Sequence, residues 1–350
     1  MKILGIETSC DETAAAIIEQ LPNGNLKIIS NVVASSQDMH AKTGGVIPEN
    51  AAREQVKSII PVIDQALKIA KLKIENLDAI AVTVGPGLIG SLLVGVETAK
   101  TLSYLWKKPI IPVNHLIGHI YANWLNKNNP PEFPALALVV SGGHTDLVLL
   151  SGPAHGVRIK YIGGTRDDAA GEAFDKTARL LNLPYPGGPN LSKVAQKYID
   201  KNLNAELIFF PRPMIYDKNF DWSFSGLKTS VSREVLKNPN FDKEKIAAET
   251  QEAIVDSLVF KSLKAIEKYK PKSFLLAGGV AANSRLREKF QAGMPMRHSG
   301  KLARTSLHVP EVALCTDNAA YIAATAFFVR YEVPWQKIDA NPELTITDLV

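Results

Sequence analysis

Lys-Ile-Leu-Gly-Ile-Glu-Thr at 2–8 and Thr-Ala-Ala-Ala-Ile-Ile-Glu at 13–19 are joined by the short turn Ser9-Cys10-Asp11-Glu12. Two short apolar runs flanking a polar turn read as a β-hairpin. The same plan recurs at 135–140 and 145–150, around Ser141-Gly142-Gly143-His144. Each hairpin is later followed by a strand that runs into a glycine turn and then a helix. In the first half these are 79–84, Gly85-Pro86-Gly87 and a helix from about Leu88. In the second they are 273–277, Gly278-Gly279 and a helix after Asn283. Strands alternating with helices in two similar rounds predict a duplicated α/β fold with sheets covered by helices. A ligand of such a fold is expected in the cleft between its halves, near strand ends and turns. A closing helix is expected at about 317–330, with Ala319, Ala320, Ala323 and Ala324 as its close-packing surface.

The chain's 350 residues suffice for two domains or one large duplicated one. Hydrophobic content of 46% and charged content of 21% describe an ordinary globular protein. A net charge of +5 permits an anionic partner without demanding one. The basic excess gathers at Arg285, Arg287, Lys289, Arg297, Lys301 and Arg304, against the single acid Glu288, which marks a candidate nucleic-acid footprint. Cys10 and Cys315 are too few for a zinc cluster or a disulfide framework, so a reducing compartment is expected. The N-terminus lacks the long apolar region of a signal peptide. The uncharged run 79–96 is broken by Gly85-Pro86-Gly87 and reads as strand, turn and helix instead of a membrane span. These features predict a cytoplasmic protein.

His-Leu-Ile-Gly-His at 115–119 follows a strand-like run and the helix-capping Asn114. On a helix over 115–125 the two imidazoles lie ~40° apart on one face. Ile117, Ile120, Tyr121 and Trp124 centre on the other. The ordinary reading is two exposed or hydrogen-bonded histidines. The sharper one is a pair aimed into a cleft and sharing a metal ion, which needs a third ligand. It is not the zinc-peptidase signature HExxH, because the glutamate is absent. Asp317, placed as a helix N-cap, supplies a plausible carboxylate. Two histidines and a carboxylate with open positions suit iron(II) or zinc.

Three glycine turns offer backbone N–H groups to a phosphate: Gly85 to Ser91, Ser141 to Gly143, and Gly278-Gly279. None is a Walker or GxGxxG loop, yet three in one duplicated α/β chain favour a nucleotide. Asp167, Asp168, Glu172 and Asp175 read as a capped helix start, or as a source of one carboxylate for ribose hydroxyls. Tyr185-Pro186-Gly187-Gly188-Pro189 reads as a rigid loop. The segment 220–229 reads as a loop with buried rings.

Several stretches in this order resemble one family: Gly-Ile-Glu-Thr-Ser-Cys-Asp-Glu-Thr (5–13), Gly-Gly-Val-Ile-Pro-Glu (44–49), Gly-Pro-Gly-Leu-Ile-Gly-Ser-Leu (85–92), His-Leu-Ile-Gly-His and Ser-Gly-Gly-His-Thr (141–145). Asp-Asp-Ala-Ala-Gly-Glu-Ala-Phe-Asp-Lys (167–176), Pro-Gly-Gly-Pro (186–189), Trp-Ser-Phe-Ser-Gly-Leu-Lys-Thr (222–229), Gly-Gly-Val-Ala-Ala-Asn (278–283) and Cys-Thr-Asp-Asn-Ala-Ala (315–320) complete it. The chain resembles the TsaD family of tRNA threonylcarbamoyladenosine transferases, formerly called glycoproteases. The resemblance spans about 3–325.

It implies a duplicated actin-like, Hsp70-like ATPase fold around a nucleotide cleft. The first half would be 1–112 with the closing helix at about 317–332, and the second 113–316, carrying the metal histidines; 333–350 would be a tail. It implies transfer of threonylcarbamoyl from threonylcarbamoyl-AMP to adenosine 37, beside the anticodon, in tRNAs reading codons that begin with A. His115, His119 and Asp317 match the metal positions, with Fe(2+) the expected ion and Zn(2+) the alternative. Val139, Val140, Ser141, Gly142, Gly143, Asp175, Gly188 and Asn283 match the adenylate positions, where ATP or ADP would also fit. Asp11 and Glu12 are the candidate bases. Expected partners are tRNA, TsaB-like and TsaE-like companion proteins and an upstream TsaC/Sua-type synthase, with no membrane. The chain departs from the family pattern at Thr43, where tyrosine is usual, and over Asn50 to Gln55, where Leu-Ala-Ser-Arg-x-His is usual. These departures bear on packing or a partner surface, not on the reaction. The competing readings are a metallopeptidase, suggested by the histidine pair alone, and a small-molecule kinase or non-catalytic ATP-binding partner.

Overall fold

Alternation along the first strand sets the layers around it. In the computed structural model, β1 (Lys2–Glu7) directs Leu4 and Ile6 into one core and turns Ile3, Gly5 and Glu7 to the opposite face. Both faces are covered, so the strand is apolar almost throughout. The structure describes residues 1–37, 39–40, 45–152, 157–202, 206–207, 209–294, 305–329 and 332–348. Contacts divide the chain into two units.

The first unit comprises Met1–Pro131, Ser151–Ile159 and Pro310–Val350. β1, β2 (Glu12–Gln20) and β3 (Leu26–Ser35) form an antiparallel meander. β4 (Ala79–Gly85) then pairs parallel to β1, and β5 (Ile110–Asn114) parallel to β4. The sheet order is β3-β2-β1-β4-β5. Helices α1 (Pro48–Ala70) and α2 (Ile89–Trp106) cover the face with Leu4 and Ile6, where Ile59, Val62, Ile63, Val96 and Ala99 complete the core. On the other face lie α3 (His115–Tyr121) and, from the far end of the chain, α9 (Ala319–Thr325).

The second unit comprises Glu132–Leu150 and Lys160–Val309. Here β6 (Ala135–Val140), β7 (Thr145–Ser151), β8 (Arg158–Gly164), β9 (Ser273–Ala277) and β10 (Ser306–His308) repeat the plan. The order β8-β7-β6-β9-β10 matches β3-β2-β1-β4-β5 element for element. Its helices are α4 (Ala170–Leu180), α5 (Gly187–Lys201), α6 (Ser225–Lys237), α7 (Lys243–Tyr269) and α8 (Ser284–Gly293). The duplicated α/β fold expected from the hairpins is therefore present.

Several boundaries differ from the sequence reading. The contacts divide the chain after Pro131 instead of at 112, so the histidine helix groups with the first unit. The predicted helix over 115–125 is α3 followed by a single 3-10 turn, Ala122–Trp124, and it is buried all round instead of on one face. The closing helix starts later than 317, because the Asn318 side chain, not Asp317, accepts from the N–H groups of Ala320 and Tyr321. The Tyr185–Pro189 stretch is only partly a loop: Gly187 and Gly188 open α5. Helix α1 and strand β3 were not anticipated. Thr43, Arg297, Lys301, Arg304 and Arg330 lie outside the described residues. The described cations of the basic run are engaged within the chain: Arg285 pairs with Glu252, Lys289 with Glu252 and Asp256, and Arg287 donates to the Ala281 carbonyl.

The departure at Gln55 has a structural role. Its side chain is buried, and Nε2 donates to the carbonyls of Cys10 and Glu12 at 3.0 Å each. It thereby ties α1 to the β1–β2 turn.

Helix α9 lies against β1 at backbone contact. A Cβ added to Gly5 would meet the Ala319 carbonyl oxygen at 2.3 Å and the Ala323 nitrogen at 2.9 Å. Backbone atoms cannot swing aside as a flexible side chain can. Gly5→Ala is expected to cost about 1–3 kcal/mol by overpacking, measured by denaturant unfolding.

Candidate metal centre

The first-unit site is assembled by two chain segments. β5 ends at Asn114, whose side chain accepts from Leu116 N–H at 3.0 Å and from Ile117 N–H, starting α3 at once. That cap places His115 in the first turn and His119 one turn later. Their ring centroids are 4.6 Å apart. Asp317, just ahead of α9, meets both rings: its Oδ1 lies 3.4 Å from His119 Nε2 and 3.7 Å from His115 Nε2. Potential ligand atoms of all three residues lie within 4.8 Å of one another.

Burial makes the grouping unusual. His119 is 1% exposed and His115 9%, while the Asp317 side chain keeps 22% of its surface accessible. The centre is thus dry on the histidine side and open at the carboxylate. His119 Nδ1 is buried and has no hydrogen-bond partner, a vacancy that a polar core disfavours. Nε2 of both imidazoles faces the one carboxylate, and two imidazoles with a carboxylate fit the donor set of a divalent metal.

Electrostatics bind the group together. Burial disfavours charge on His115, but Glu7 and Asp317 outweigh it and push the imidazole up to about 9. His119 moves down, because burial and the neighbouring His115 outweigh Asp317. Burial opposes ionisation of Asp317, yet the two imidazoles hold its carboxyl at about 2. Tyr321, one turn after Asp317, donates to its Oδ1 at 3.4 Å and lies 4.7 Å from His119 between ring centroids. Burial, then Asp317 and Asp11, push Glu12 up to about 9. Its Oε1 accepts from Ser35 Oγ at 3.0 Å. Asp11 stands beside it on the same turn, its carbonyl accepting from Ser36 Oγ at 2.6 Å.

The three glycine turns differ. The Gly85–Ser91 turn is closed: a Cβ on Gly87 would meet the Ser9 carbonyl at 2.4 Å, Leu88 N–H donates to that carbonyl, and Ser91 Oγ donates to Cys10. It clamps the β1–β2 turn and leaves no cradle for a phosphate. In the second unit, Gly142 and Gly143 are exposed, and a Cβ on either would meet nothing within 4 Å. Gly279 is equally open, while Gly278, at φ +86°, presses against the Val140 carbonyl. Val139 and Val140 are buried in β6 and hold this edge.

The second-unit acids have separate tasks. Asp175 Oδ1 accepts from Gly188 N–H at 2.9 Å, and burial raises its carboxyl against the pull of the Gly187 and Gly188 N–H groups. Asp167 caps α6 from outside, taking Ser223 Oγ, Ser225 Oγ and Phe224 N–H. Asp168 and Glu172 pair with Lys176. The Asn283 side chain is committed internally: it accepts from Leu286 N–H and donates to Ser192 and Gln251.

The TsaD family model, tRNA N6-adenosine threonylcarbamoyltransferase, matches residues 27–324. The chain belongs to the TsaD family. Its relatives of that name include one from Persephonella marina, 46% identical over 330 residues, covering 93% of this chain and 90% of the relative. Another, from Kosmotoga olearia, is 46% identical over 352 residues and covers all of both chains. Among solved structures, full-length HypF in its phosphate- and nucleotide-bound form is similar at a TM-score of 0.57 and 12% identity, covering 95% of this chain and 47% of that one. That likeness shows the duplicated, actin-like α/β fold.

Set against the TsaD motifs, the structure brings His115, His119 and Asp317 together. Sequence reasoning missed Glu7, Ser9, Thr83 and Tyr321. A carboxylate ending a strand buried on both faces, and a tyrosine one turn after Asp317, were the available signals.

A metal ligand must offer a lone pair, so binding displaces the proton that His115 carries below about pH 9. At pH 7.5, zinc is expected to release roughly one proton from this ring, read by calorimetry in two buffers of different ionisation enthalpy. Affinity should rise with pH up to about 9 and then flatten as that proton is lost beforehand.

Proposed function

We propose that this chain is a tRNA N6-adenosine threonylcarbamoyltransferase. It moves threonylcarbamoyl from threonylcarbamoyl-AMP to the exocyclic amine of adenosine 37 in tRNAs that read codons beginning with A. The observation that carries this reading is 45–46% identity, over 330 to 352 residues, to relatives of that name. The amine attacks the carbamoyl carbonyl carbon, the bond to the phosphate oxygen breaks, and AMP leaves.

His115, His119 and Asp317 would hold one divalent metal, iron(II) with zinc as the alternative. Such an ion supplies Lewis-acid polarisation and a template for the threonylcarbamoyl oxygens. The open Gly142, Gly143 and Gly279 edge suits close approach of a nucleotide phosphate to backbone N–H groups. Asp175 and Gly188 form one hydrogen-bonded unit suited to ribose hydroxyls. The Asn283 side chain already has three partners, so we assign it the support of that edge instead of a first contact with adenine. Asp11 and Glu12, the two acids on the β1–β2 turn, are the residues we assign as candidate acceptors of the amine proton. Val139, Val140 and Ser141 carry the backbone that presents the glycines.

The reaction places the protein with tRNA in the cytoplasm, together with TsaB-like and TsaE-like companions and a TsaC/Sua-type synthase that makes the adenylate. Among the described residues no helix is long and apolar enough to cross a membrane. The peptidase alternative has no general base in the motif, since Leu116 stands where HExxH has glutamate.

Nucleosides from tRNA incubated with the protein, its companions, threonine, bicarbonate and ATP should contain threonylcarbamoyladenosine by mass spectrometry. His115→Ala should lower the yield by at least ~100-fold while the far-ultraviolet circular dichroism stays native. Absence of the product, with companions shown active beside a known relative, would sink the assignment.

A further inference from the structure

Glu7 is a fully buried carboxylate at the end of β1, and burying a charge is costly unless it is paired and hydrogen-bonded. Its hydrogen bonds run to Ser9, Thr83 and His115. Oε1 accepts from the N–H of Ser9. Oε2 accepts from Thr83 Oγ1 at 2.7 Å and faces His115 Nδ1 at 3.1 Å. Ser9 Oγ lies 3.2 Å from the same Nδ1. The opposite ring nitrogen, Nε2, faces Asp317 at 3.7 Å.

These contacts decide which nitrogen is free. A carboxylate oxygen only accepts, so the hydrogen of a neutral His115 ring sits on Nδ1, toward Glu7. The lone pair is then on Nε2, the side shared with His119 and Asp317. Thr83 and the Ser9 N–H fix the carboxylate from two directions, so its orientation is set before any ligand arrives. Strand alternation supplies the acid. Glu7 is on the same face of β1 as Gly5, the face that α9 covers.

We infer that Glu7 is a positioning residue of the metal centre, fixing the tautomer and direction of His115 so that Nε2 is presented as a ligand. This rests on the metal-centre reading above. An outer carboxylate of this kind makes its histidine more basic and typically contributes 10- to 100-fold in metal affinity. The purely structural alternative has Glu7 merely tying the turn after β1 to β4 through Ser9 and Thr83.

The two roles separate in the zinc affinity of folded, full-length protein, measured by competition with a chromophoric chelator. Glu7→Gln keeps the shape and an acceptor but removes the charge, and should weaken zinc binding ~10- to 100-fold. Thr83→Val leaves the charge and loosens its orientation, and should weaken binding roughly threefold to tenfold. Native circular dichroism is required of both variants. Should Glu7→Gln fail to fold, Thr83→Val decides. Unchanged zinc affinity in the folded variants, with the unmodified protein binding tightly and His115→Ala not binding, overturns the inference alone. Failure of the unmodified protein to bind either zinc or iron(II) overturns the metal centre, and the inference with it.

Discussion

Asp317 reaches the imidazoles because α9 lies on β1 at backbone contact. Gly5 offers no side chain to hold the helix away, and Ala319 and Ala323 bring nothing larger than a methyl group to meet it. Gly118 does the same on α3, where a Cβ would strike the Tyr321 ring at 2.8 Å. Two glycines and a run of alanines thus draw β1, α3 and α9 together from distant parts of the sequence. Loop-closure entropy grows only slowly with such separation, so the contact is limited by fit and not by chain length. The carboxylate sits just ahead of this seam, and its position inherits the seam's precision.

The same economy of side chains separates three turns that look alike as sequence. Gly85-Pro86-Gly87, Ser141-Gly142-Gly143 and Gly278-Gly279 all permit close approach. In the first turn the approaching group is the chain's own Ser9 carbonyl, and in Gly278 it is the Val140 carbonyl. Only Gly142, Gly143 and Gly279 face open space, and only they can admit a ligand. A glycine in a sequence reports that something comes near. What comes near is a tertiary fact.

This distinction marks how far the site was legible. The hairpins, the two strand–turn–helix units and Asn114 as a cap follow from short apolar runs, turn residues and local hydrogen bonding, and the structure has them. His115, His119 and Asp317 followed from residue chemistry and motif order. Helix α1 was passed over although Gln55, Ile59, Val62, Ile63 and Ala66 carry its buried stripe at helical spacing. The burial of α3 on every side was also missed, since it is imposed by β5, α9 and the ring of Phe328 stacked on Tyr121. The hydrogen bonds of the Asn283 amide with Ser192, Gln251 and Leu286 were not legible, since no local pattern brings Ser192 and Gln251 near.

Charge balance ties these observations into one requirement. The centre holds two carboxylates, Glu7 and Asp317, beside two imidazoles in a space that is almost dry at the histidines. A low local dielectric strengthens every uncompensated charge. A proton on His115 offsets only one of the carboxylates, and His119 resists taking a second because burial and its charged neighbour both oppose it. A dication bound by two neutral rings and Asp317 would offset both. The raised His115 and the raised Glu12 both reflect the nearby carboxylates. The fold supplies the negative partners and the directions, a setting whose charge a bound dication would balance.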